Sequence, residues 1–71
     1  MNNTWYEVWA DETVEPPYLL LVLSASDGGI FVRDPKEGNK IVYQADSYEE
    51  AMYWLTEDEY TRVDGRMALD V

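Results

Sequence analysis

The 71-residue chain contains neither cysteine nor histidine. Their absence excludes disulfide staples, thiolate nucleophiles, Cys/His metal sites and imidazole acid–base catalysis. Basic residues are scarce: five Lys and Arg stand against fifteen Asp and Glu, a formal charge of −10. Such a balance repels a nucleic-acid duplex or an anionic membrane on average. Long apolar runs are also lacking. The longest, Tyr18-Leu19-Leu20-Leu21-Val22-Leu23, has six residues, whereas a membrane span needs about 20. The opening Met1-Asn2-Asn3-Thr4 has no charged and then apolar stretch of a secretory signal. A soluble, cytoplasmic chain with no membrane partner is therefore expected.

Apolar residues are nevertheless plentiful. At 46% hydrophobic and 14% aromatic, the chain can build the core of one small domain spanning residues 1–71. Residues 67–71 are weakly patterned and are expected to fray. Trp5-Tyr6-Glu7-Val8-Trp9 is aromatic and β-branched, which predicts a strand. Trp5, Glu7 and Trp9 share one of its faces, Tyr6 and Val8 the other, and either could face the core. The acidic, proline-containing segment from Ala10 to Pro17 predicts an extended loop.

Tyr18–Leu23 predicts a second strand. Asp27-Gly28 supplies the positive φ of a tight hairpin. Ile30–Arg33 then returns antiparallel. Pro35 and Gly38 mark another turn, and Lys40–Ala45 makes the last strand of a meander. Ser47 followed by Glu50 is a capping box that opens a helix over residues 47–56, with Tyr48, Ala51, Met52 and Leu55 as its apolar stripe. Glu57-Asp58-Glu59 sits at the end of the helix that favours cations, and Arg62 and Arg66 could relieve it. Tyr60–Val63 predicts a short strand, with Asp64-Gly65 as a turn after it.

The fold class that results is α+β: a small antiparallel meander of three to five strands with one helix packed on one face. The predicted core takes Val8, Leu19, Leu21, Leu23, Ile30, Val32, Ile41, Tyr43, Ala51, Met52 and Leu55. Strand parity is the weak link, because a one-residue slip swaps the faces.

The motifs carry little chemistry. No segment has the alternating acids, central glycine and closing glutamate of a calcium loop. Ser24, Ser26 and Ser47 have no histidine to activate them, and Lys36 and Lys40 flank a turn where burial is not expected. Trp5, Trp9, Tyr18, Phe31 and Tyr43 lie on predicted strands without the interleaved bases of a nucleic-acid platform. No catalytic residue, cofactor, metal or direct nucleic-acid contact is expected.

The remaining class is a small acidic, non-catalytic protein-interaction module, monomeric or weakly dimeric. Its candidate contact residues are Trp5, Trp9, Tyr53 and Trp54 among the rings, and Asp11, Glu12, Glu15, Glu57, Asp58 and Glu59 among the acids. If the acids make the contact, the partner is basic, as for a decoy of nucleic acid. A carboxylate-dependent enzyme is the rival from another class.

Overall fold

The computed structural model describes residues 3–25 and 27–68, with side chains at all of these except 3, 4 and 64. Five strands and one α-helix follow in chain order: β1 (Asn3–Asp11), β2 (Tyr18–Ala25), β3 (Ile30–Asp34), β4 (Lys40–Ala45), α1 (Tyr48–Glu57) and β5 (Thr61–Ala68). They form one antiparallel sheet ordered β4-β3-β2-β1-β5. The first four strands are a meander. The helix then carries the chain back across the sheet, so that the last strand pairs with the first.

Local chemistry explains the turns. Gly28 takes φ 93° at the β2–β3 hairpin, and Asp27 Oδ1 accepts from the Gly29 amide at 2.9 Å. Between β3 and β4, Asp34 caps a single 3-10 turn over Pro35–Glu37, which Gly38 closes at φ 73°. Ser47 Oγ caps α1 by accepting from the Glu50 amide at 3.2 Å. The Glu50 carboxylate returns to the Asp46 amide at 3.1 Å, one residue earlier than a standard capping box.

The far end of α1 is less favourable. Glu59 holds φ 65°, a left-handed position that suits glycine, at a helix end whose last turn has no base. Glu59→Gly is therefore expected to raise stability by about 0.5–1 kcal/mol, read from urea unfolding.

The core lies between the sheet and α1. It is formed by Trp9, Leu20, Val22, Ile30, Val32, Ala45, Ala51 and Leu55, with Tyr43 and Tyr48 packed against it. Several expectations need correction. On β2 the buried residues are Leu20, Val22 and Ser24, while Leu19 is 47% exposed and Leu21 and Leu23 are half-buried on the opposite face with Val8. The register decides this: Val22 sits between Glu7 and Val32, both buried under the helix.

Ile41 is also exposed. A register shift between Val32 and Arg33 places Ile41 opposite Arg33, whereas Tyr43 and Ala45 face α1. Met52 lies outside the core because α1 is rolled toward Trp54: Ala51 and Leu55 are central, Trp54 stacks on Tyr43 at 4.4 Å and 5° on one flank, and Met52, about 200° around the helix from Trp54, is left on the other. Asp64-Gly65 is not a turn. It lies within β5, where residues 64–66 face Glu7 alone between the Tyr6–Met67 and Val8–Val63 pairs. Met67 and Ala68, expected to fray, belong to β5; residues 69–71 lie outside the described residues.

Candidate functional site

The most concentrated chemistry surrounds Glu7. β1 points Trp5, Glu7 and Trp9 toward the helix, and β5 directs Arg62 to the same side opposite Trp9. The bulge in β5 brings Arg66 alongside. Glu7 has no accessible surface. Its Oε1 accepts from Trp9 Nε1 at 2.9 Å and Tyr48 OH at 2.8 Å. Its Oε2 accepts from Arg66 Nε at 3.0 Å and Arg62 Nη1 at 3.4 Å. The Arg66 guanidinium lies 3.8 Å from the centre of the Trp5 ring and 5.0 Å from that of Tyr48. Trp5 and Tyr48 meet edge to face at 5.7 Å.

Burial by itself would raise the pKa of Glu7. Hydrogen bonds from Trp9, Tyr48 and Arg66, together with the charge of Arg66, outweigh it and hold the carboxyl below its ordinary value. Burial raises the Tyr48 phenol, and its bond to the Glu7 carboxylate raises it further. For Arg66, desolvation opposes the charge, but Glu7 and Tyr48 prevail and its pKa rises. The group is a satisfied, ionised clasp that ties β5 and α1 to β1. An ionised carboxylate with both oxygens engaged is poorly placed to deliver a proton.

The clasp has a pH signature. The native pKa of Glu7 lies below the 4.5 of an ordinary glutamate. Its ionised form thus stabilises the fold above that ordinary value, and the contribution disappears as pH falls through the lower native one. The stability gap between the native chain and Glu7→Gln is expected to be constant above about pH 5 and to narrow toward pH 3. Urea unfolding at each pH reads it.

A second buried carboxylate, Asp34, accepts from Tyr18 OH at 2.6 Å and from the Lys36 amide at 3.0 Å. This bond is the main reason the Tyr18 phenol is pushed up to about 12. Beside it, Val14, Pro16, Pro17, Tyr18, Leu19 and Pro35 line an open groove of about 500 Å3.

The ten expected contact residues do not form one patch. Trp9 is buried in the core, and Trp5 is half-buried in the Glu7 clasp. Trp54 is half-buried against Tyr43, leaving Tyr53 alone at 69% exposure. Asp11 accepts from the Thr13 amide at 2.9 Å. Glu12, Glu15, Glu57, Asp58 and Glu59 are exposed. Arg62 and Arg66 reach Glu7, and among the described residues the only ion pairs are theirs with that carboxylate. Among the described residues no cluster of three or more acids could hold a metal ion, and no helix is long and apolar enough to cross a membrane.

What sequence reasoning missed is the sheet face turned away from α1. Tyr6 and Val8 of β1, Leu19, Leu21 and Leu23 of β2, and Phe31 of β3 point to it. Ile41 extends it at one edge, and Val63 and Met67 at the other. None of the nine is buried, and Leu19, Ile41, Val63 and Met67 are 41–49% exposed. Arg33 is the one charged strand residue among the described side chains on this face, donating to the Asn39 carbonyl at 3.1 Å. The signal available in the sequence was an excess of apolar residues over what one short helix can cover. No protein family, curated protein or solved structure matches the chain.

Proposed function

We propose that the chain is a non-catalytic protein-interaction module whose contact surface is the uncovered sheet face. The observation that carries this reading is the apolar surface that runs from Phe31 through Leu23 and Tyr6 to Met67 and from Leu21 through Val8 to Val63, with Ile41 beyond Arg33 at the β4 edge. Large contiguous apolar patches on small proteins mark contact sites more often than scattered exposed residues do. The geometry of Glu7 supports the non-catalytic part, because its oxygens are committed to donors inside the fold.

In-cell photo-crosslinking tests the proposal. A photoreactive residue at Leu21 is expected to give adducts of discrete mass, and one at Tyr53 on the helix side none. Adducts from Tyr53 but not from Leu21, or from neither, would overturn it. Adducts from Tyr53 alone would instead favour the decoy reading, in which exposed acids such as Glu57 and Glu59 meet a basic protein.

A further inference from the structure

We infer that the occupant of the open sheet face is a second copy of this chain, packed face to face about a two-fold axis. The inference rests on the contact surface proposed above and names its partner. Three observations carry it: the area of the face, its charge and the single-sided position of the helix.

Five strands spaced about 4.8 Å apart, each with about six residues rising roughly 3.3 Å, give a footprint of roughly 500 Å2. Two such faces together remove roughly 1,000 Å2 from solvent, at the lower bound for a specific interface. An isologous contact meets that bound only if the whole face is used, with the two twisted sheets packed in alignment.

Charge narrows the occupant. Among the described side chains no acid on a strand points to this face: Glu7, Asp11 and Asp34 share the helix-side parity of β1 and β3. The other described acids lie in loops, turns and the helix. A basic partner thus finds no counter-charge on the face. What complements a nearly uncharged apolar sheet is another such sheet, and the chain itself supplies one. The helix covers only the opposite side, so a second copy completes a helix–sheet–sheet–helix stack with a core about 10 Å thick between the sheets.

The salt dependence follows from the net charge. Each copy carries −10, so added salt screens the repulsion between copies and tightens the pair. A basic partner held by the acids would show the opposite trend.

Sedimentation of the purified chain tests this. A monomer–dimer equilibrium is expected, with severalfold tighter pairing at high salt than at low. Leu21→Lys, at the middle of the face, and Leu19→Lys, already 47% exposed and therefore tolerant of the change, are each expected to weaken it at least tenfold. Tyr53→Lys should leave it intact, with circular dichroism confirming that each variant is folded. A monomer at all concentrations, or a dimer indifferent to both lysines, would overturn the inference. Adducts from Leu21 in cells whose mass is not twice the chain's 8.3 kDa, with a monomer in the centrifuge, would sink the self-pairing and leave the contact face standing. No adducts and no dimer would remove both.

Discussion

Replacing Glu7 with alanine is expected to destabilise the protein by about 3–5 kcal/mol. The substitution strips acceptors from four donors at once: the Trp9 indole, the Tyr48 hydroxyl and two arginines. The indole is buried and loses its partner without replacement by water. The arginines are 46% and 43% exposed, so water compensates part of their loss. A domain of this length has a total stability of roughly 4–10 kcal/mol, so the alanine variant stands near the unfolding threshold. Glu7→Gln keeps the shape and one acceptor oxygen for the Trp9 and Tyr48 donors but loses the charge and the oxygen that meets the arginines, and should cost less than the alanine. Urea unfolding followed by tryptophan fluorescence reads all three proteins. Equal stability of the native and alanine forms would show that the clasp does not hold β5 and α1 to β1.

The other large effect is expected at Leu55. Its side chain is 1% exposed and anchors α1 in the core with Ala51. A ten-residue helix does not persist alone in water, so its stability comes from this packing. Leu55→Ala removes three buried carbons and leaves a cavity, at a cost of about 2–5 kcal/mol. In so small a domain that lowers the melting temperature by roughly 8–40 °C. Met52→Ala, on the same helix but 37% exposed, should cost under about 1 kcal/mol. The contrast between the two variants checks which stripe of α1 is buried.

The sequence was most legible where structure is local. Asp27-Gly28, Pro35 with Gly38, and Ser47 each specify a turn or cap through their own backbone and side-chain chemistry, and each turn or cap occurs at those residues. β2 was legible as a strand but not in its parity. Leu19–Leu23 contains no polar residue to mark the wet face, so the register with β1 and β3 decides it. Asp64-Gly65 has turn chemistry, yet pairing with β1 turns it into a bulge.

The clasp was hidden for a different reason. Apart from Trp9, its partners are 41, 55 and 59 residues from Glu7 along the chain. Only the crossover that sets β5 beside β1 brings them together. A lone acid between two tryptophans on one strand face was a clue that buried donors had to exist. The open face was hidden because Val8, Leu19, Leu21, Leu23 and Ile41 of that face read from the sequence as core. They are apolar enough for a core, but one helix cannot cover two faces of a sheet.

Hydroxyl-radical footprinting, comparing the dilute purified protein with the protein in cells, tests the contact face most directly. In dilute solution Phe31, Met67 and Tyr53 should all be oxidised. In cells Phe31 and Met67 are expected to be protected at least severalfold while Tyr53 is not. Equal oxidation of Phe31 and Met67 in both settings, or protection confined to Tyr53, would contradict the account.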